Sequence, residues 1–303
     1  KTQQMADYAG YASVEYKPFK NTIIRPGLRY AYNTNYQAPI TPSINLMQTV
    51  GQFNIRASYA RGFRAPSLKE LYFNFVDINH NILGNSDLKA EQSNNFNLST
   101  NYTKGIKNYV LKMELSSFYT QMENLITLAQ SNGTKYTYVN IGDFQTHGIQ
   151  LNNNISFNHL KFGVGGSYIG RYNLLSETNN IDKFSYTPEL KSSINYEFYK
   201  QQLFVAFFYK FSGQLPGFGL GNNDEIIQTY IESYHIADLT VGKQFWEKRV
   251  KITLGSKNLF DVKSVNSVAQ GSVHSSGAGS FPVAMGRTYF LKITFNFQYD
   301  KTN

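Results

Sequence analysis

Residues 287–303 read R-T-Y-F-L-K-I-T-F-N-F-Q-Y-D-K-T-N. Every second position, Tyr289, Leu291, Ile293, Phe295, Phe297 and Tyr299, is apolar or aromatic. The residues between, Thr288, Phe290, Lys292, Thr294, Asn296 and Gln298, are mostly polar. A period of two is that of a β-strand with unlike faces. Such a strand suits a soluble sandwich with one buried face, or a membrane barrel whose oily face points outward. Rings at both ends of the apolar row fit the barrel, because aromatic side chains collect where lipid meets water.

The rest of the chain narrows the choice. Its 303 residues suffice for one large all-β unit or two ordinary domains. Charged residues are only 16%, against about a quarter in an average globular chain. Mean hydropathy is nevertheless −0.39, and no apolar run approaches the ~20 residues of a transmembrane helix. A helical membrane protein is therefore excluded. A β-barrel escapes that test, because its lipid-facing and lumen-facing residues alternate and average out. The absence of cysteine removes disulfides and cysteine-type zinc or iron–sulfur sites. The net charge of +9 comes from isolated residues such as Arg25, Arg29, Arg56 and Arg61, so no nucleic-acid partner is expected. The opening Lys-Thr-Gln-Gln-Met has no export-signal pattern and reads as a mature protein or a piece of one.

Thirteen alternating segments run along the chain, at about 8–16, 22–32, 42–49, 53–65, 94–103, 109–120, 134–157, 161–172, 187–198, 203–212, 234–245, 250–260 and 286–299. In one of them, Phe204, Ala206 and Phe208 blur the polar side. Short turns follow the odd-numbered segments, among them K-P-F-K-N, K-G-I-K-N, Y-K-Q-Q and W-E-K-R. Long loops follow the even-numbered ones, at 33–41, 66–93, 121–133, 173–186, 213–233 and 261–285. That asymmetry predicts an all-β, antiparallel up-and-down barrel in an outer membrane. Such barrels have an even number of strands, and unpaired edges in lipid are costly. Thirteen strands therefore imply a C-terminal part of a larger barrel.

Residues 53–94 carry G-F-R-A-P at a strand end, then a long loop, then G-N-x-x-L-K-x-E. With A-G-Y-A-S-V-E-Y-K-P-F, R-P-G-L-R-Y, Y-V-N-I-G-D-F-Q-T-H-G-I-Q-L and L-G-S-K-N-L-F-D-V, essentially the whole chain resembles the TonB-dependent outer-membrane receptors. It is nearest in style to those of Bacteroidetes-type bacteria. The resemblance implies a multi-pass barrel of about 22 strands with a filled lumen, in a Gram-negative outer membrane. Residues 1–303 would form its C-terminal part, with the N-terminal plug and early strands outside this chain. It implies active uptake of a scarce bulky solute, a ferric siderophore or haem first, then cobalamin or glycan. A passive porin and an outer-membrane enzyme are the other classes weighed; no G-x-S-x-G nucleophile motif occurs. The implied partners are the TonB–ExbB–ExbD complex, reached through the missing N-terminal part, outer-membrane lipids, and for glycans a surface lipoprotein. No resident cofactor is expected.

The long loop after G-F-R-A-P has local signals of its own. Pro66 marks a strand exit, and Ser67 with Glu70 reads as a capping box. Leu68, Leu71, Tyr72 and Phe75 then share one face of a one- or two-turn helix. Candidate substrate contacts are Arg64, Tyr72, Phe73, Phe75, His80 and Phe218. His80 lies between the F-R-A-P and N-S-D-L stretches; the resemblance implies a haem-iron ligand there, whereas D-I-N-H-N-I-L-G-N itself reads as a polar turn with a loop-stabilising histidine. The glycine-rich loop 213–224 and the Gly/Ser-rich 270–280 are expected to be flexible.

Overall fold

Alternating sequence becomes strand nearly throughout the computed structural model, which describes residues 3–76, 81–132, 135–172, 183–220, 226–269 and 280–297. The elements are β1 (Asp7–Ser13), β2 (Tyr16–Phe19), β3 (Thr22–Asn33), β4 (Thr41–Val50), β5 (Phe53–Arg64), α1 (Leu68–Tyr72), β6 (Asn74–Val76) and β7 (Asn81–Leu83). There follow β8 (Glu91–Ile106), β9 (Tyr109–Asn132), β10 (Lys135–Phe157), β11 (Leu160–Tyr172), β12 (Phe184–Phe198) and β13 (Leu203–Ser212). The last are β14 (Leu215–Leu220), β15 (Ile226–Ile231), β16 (Tyr234–Phe245), β17 (Val250–Lys257), β18 (Ser264–Ala269), β19 (Ser280–Pro282) and β20 (Thr288–Phe295).

A meander of strands is hydrogen-bonded in the order β1-β3-β4-β5-β8-β9-β10-β11-β12-β13-β16-β17-β20. These strands match the alternating segments of the sequence one for one. Neighbours on this path whose register is described pair antiparallel, and β7 lies parallel on β10. Tight connections at 51–52, 107–108, 158–159, 199–202 and 246–249 alternate with long ones at 65–90, 213–233 and 258–287.

The chain divides into two units, residues 1–100 with 116–148, and residues 101–115 with 149–303. In the second unit one cross-strand row runs Leu160–Tyr196–Val205–Val241–Leu254–Leu291. The adjacent row on the opposite face runs Lys161–Asn195–Ala206–Thr240–Gly255–Phe290. The first unit repeats the contrast, with Pro26–Ile44–Tyr59 on one face and Arg25–Asn45–Ser58 on the other. Yet the apolar face is not covered: Leu254 is 58% exposed, Leu291 62% and Phe295 59%. Buried hydrophobics among the described residues are only Leu71, Leu88, Ile126, Ala237, Val250 and Val265. A soluble fold would bury its Leu and Ile. Here they form a skin, which is stable when hydrocarbon is the solvent on that side.

The rings that blur the polar face have a local reason. Phe204 faces Gly242 across the ladder, and Phe290 faces Gly255. A Cβ on Gly242 would run into Phe204 Cε1, and one on Gly255 into the Phe290 ring, so each ring covers a glycine and fills its missing side chain.

Several loop expectations are corrected. Stretch 121–133 largely continues the ladder, since β9 and β10 have 24 and 23 residues. A transmembrane strand needs about 9–11, so this excursion is itself a hairpin standing beyond the lipid. The glycine-rich loop carries β14, which pairs with β15 and then β18 and β19 in a four-stranded sheet. Residues I-I-Q-T-Y-I of β15 are good strand formers, and they supply β14 with a partner. The last strand ends at Phe295 rather than 299, and Tyr299 lies outside the described residues. So does 270–280, apart from Ser280.

Candidate functional site

Pro66 lacks an N–H and so ends the β5 ladder. Ser67 caps α1: its hydroxyl accepts from the Glu70 N–H at 3.3 Å, and the Glu70 carboxylate accepts from the Ser67 N–H at 2.7 Å. This is the reciprocal box read from the sequence. Leu71 turns inward against Leu88 and Ile126, with Tyr36 and Tyr138 packed at the margin. The Tyr36 hydroxyl donates to Leu88 O at 3.1 Å.

Gly84 passes directly beneath this turn. Its N–H donates to Phe73 O at 2.6 Å, and a Cβ there would lie 2.6 Å from Leu71 C and Tyr72 N. Backbone atoms cannot give way as a side chain can. Gly84→Ala is therefore expected to cost about 1–3 kcal/mol of local stability, seen as faster amide exchange over residues 67–73. Unchanged exchange would mean that this approach does not hold the turn.

Arg64, at the end of β5, fixes the turn to the sheet. Its Nε and Nη2 donate to Glu91 at 2.6 and 2.7 Å, and Nη1 donates to Glu70 at 2.9 and 3.1 Å. Glu91, only 6% exposed, also accepts the Ile126 N–H at 2.8 Å. One guanidinium and two carboxylates thus tie together β5, α1, β8 and β9. Asn85 Nδ2 donates to Tyr138 O at 2.9 Å. Asn140 accepts from the Lys89 N–H at 2.7 Å and donates to Lys89 O at 3.0 Å, fastening the far half of the loop to β10.

Burial pushes the Glu70 carboxyl up, but Arg64 and both donors of Ser67 outweigh it and hold the group below its ordinary value. A depressed carboxylate contributes stability above its unfolded pKa and loses it as pH falls through the folded one. The cap is therefore expected to stay closed near neutrality and to loosen only below the ordinary carboxylate range of about 4. Amide exchange over 67–73 between pH 7 and pH 3 checks this, and loosening already at pH 5–6 would contradict it.

Outside the clasp lies an aromatic platform. Tyr72 is 43% and Phe75 44% exposed. The Phe73 and Phe75 rings stack at 6.0 Å and 15°, with Lys69 Nζ 5.1 Å above Phe73. Phe73 and Phe75 are therefore brought together, Tyr72 is exposed on the same turn, and Arg64 is committed to the two carboxylates. Phe218 falls in β14, where its backbone pairs with Gln228, and only its backbone is described. His80 lies outside the described residues. Among the described residues no cluster of His, Asp or Glu could hold a metal ion. Sequence reading missed Lys69, Glu91, Asn85 and Asn140. Glu91 stands in the quoted G-N-x-x-L-K-x-E stretch, but its partner lies 27 residues earlier, which no local pattern reveals.

An antiparallel meander with an oily skin, a polar opposite face, tight turns at one end and built loops at the other defines an outer-membrane β-barrel wall. Residues 1–259 match the family model described as TonB dependent receptor-like, beta-barrel. The chain belongs to the TonB-dependent receptors, multi-pass proteins of the Gram-negative outer membrane and not an enzyme class. It is 23% identical to the ferrienterobactin receptor of Escherichia coli K12, over 91% of this chain and 40% of that protein. A mutant ferric enterobactin receptor from Pseudomonas aeruginosa, solved with enterobactin, matches with TM-score 0.71 and 20% identity, over 97% of this chain and 46% of its own. The FrpB iron transporter from Neisseria meningitidis matches with TM-score 0.69 and 15% identity, over 95% and 45%. At these identities the solved structures establish the fold. The chain spans less than half the length of each relative.

Proposed function

We propose that this chain is the C-terminal barrel portion of a receptor that takes up a ferric siderophore. Energy would come from the TonB–ExbB–ExbD complex through an N-terminal plug. The reading rests on one observation: a stacked aromatic pair capped by an ammonium, held rigidly at a strand exit on the long-loop side. Anionic iron chelates with flat aryl or amide groups suit such a surface, through attraction to the cation and contact with the rings. The relatives point the same way, being receptors for ferric enterobactin and an iron transporter. No enzymatic step is assigned.

The test is growth rescue in a strain lacking the receptor, supplied with ferric siderophores, haem or cobalamin. Rescue by a siderophore, weakened in a Phe73→Ala/Phe75→Ala receptor that still inserts, supports the proposal. Rescue by haem alone, lost on His80→Ala, would transfer the role to haem uptake. Passive entry of small sugars independent of TonB would make it a porin.

A further inference from the structure

The tight turns of the second unit touch one another in sequence and form one continuous edge. Asn158 N–H donates to Asn108 O at 3.1 Å, and Gln244 N–H to Gln202 O at 2.9 Å. The His159 ring stacks on Tyr199 at 5.8 Å, and Lys248 Nζ lies 5.8 Å over the same ring. Turns 107–108, 158–159, 199–202 and 246–249 are thereby linked. They carry Lys107, His159, Lys200, Lys248 and Arg249 against a single acid, Glu247. Tyr199 is 70% and Trp246 74% exposed. Short turns mark the periplasmic end of an outer-membrane barrel.

Lys243 gives this edge a direction. It pairs with Leu203 and Ile252 and shares the oily face with Val241 and Phe245. An ammonium cannot remain among acyl chains and must reach for the interface. Its Nζ lies 5.4 Å over the Phe245 ring, and Phe245 is the residue next to the turn, so Lys243 extends towards the basic edge. Glu197 points to the opposite face from Tyr196 and Phe198, and among the described residues Lys243, Lys200 and Lys248 form no ion pair.

We propose that this edge binds the phosphates of anionic phospholipids in the periplasmic leaflet. Lys243 meets the headgroup from the acyl side and Lys248 from the water side, with Tyr199 and Trp246 at the glycerol level. The excess of bases over acids selects lipids with net negative charge. A charged phosphodiester joined to acyl chains satisfies both the snorkelling lysine and the exposed rings, whereas a soluble acidic protein leaves Lys243 unused. The inference is independent of what the receptor transports.

The experiment uses the natural receptor that carries this chain, purified in detergent and offered equal phosphatidylglycerol and phosphatidylcholine, with retained lipid counted by native mass spectrometry. Phosphatidylglycerol is expected to be preferred. Lys243→Gln and Lys248→Gln should each lower its retention about fivefold, while Lys191→Gln on the inner face leaves it unchanged. Heat-dependent gel mobility identifies folded variants, and Lys200→Gln replaces either lysine variant that fails to fold. Equal retention of the two lipids overturns the proposal, as does undiminished phosphatidylglycerol in the folded double variant. Equal competition by inorganic phosphate would show a free-anion site instead and also overturns it.

Discussion

Leu254→Arg is expected to destabilise the receptor in lipid by about 2–4 kcal/mol, a loss with no counterpart on the other face of the sheet. Leu254 sits between Val241 and Leu291 in the apolar row and is 58% exposed. It lies four residues beyond Val250, which is about 10 Å of height at ~3.3 Å per residue and a tilt near 40°. That depth is close to the middle of an apolar band ~25 Å tall. An arginine there has no nearby headgroup to reach. Lys292→Leu makes the reverse change one residue along β20, on the face where Lys292 pairs with Thr253. It should move stability by no more than about 0.5 kcal/mol, as exposed polar positions do. Urea unfolding of the receptor in phospholipid vesicles measures both. A tolerated Leu254→Arg together with a damaging Lys292→Leu would mean that the two faces have been assigned the wrong way round.

That assignment was readable from sequence because lipid and period two write the same signal. Leu291, Ile293 and Phe295 announce a face whatever their neighbours are. The capping box of Ser67 and Glu70 was readable for a similar reason, since both partners lie within one turn. Elsewhere the signal fades for physical causes. The distal parts of β9 and β10 stand in water, so residues such as Gln121, Glu123 and Asn124 need no oily alternation and look like a loop. β14 becomes a strand only through β15 and β18, and Thr229 pairs with Ala269 far along the chain. Phe204 and Phe290 look like noise on a polar face until the register sets each opposite a glycine. The Arg64–Glu91 pair is invisible for the same reason: its meaning lies in which strand ends meet.

Glu91→Ala is expected to release the α1 loop, at a local cost of about 2–4 kcal/mol. Two losses add. The Arg64 guanidinium gives up its two-pronged partner, and the Ile126 N–H, beside a core of Leu71 and Leu88, loses its acceptor. The upper end of the range for breaking a buried pair is not reached, because Arg64 is 44% exposed and keeps Glu70. Glu91→Gln separates the two terms. An amide oxygen can still accept from Ile126 N–H, so Gln should lose mainly the charge and cost less than Ala. Limited proteolysis of the receptor in detergent reads the loop directly, with cleavage within 65–90 expected to rise in the order wild type, Gln, Ala. If binding relies on the Phe73–Phe75 pair being held rigid, ligand affinity should weaken in that same order while barrel melting stays unchanged. Equal cleavage in all three proteins would mean that Asn85, Asn140 and the Leu71 core hold the loop without the charged clasp.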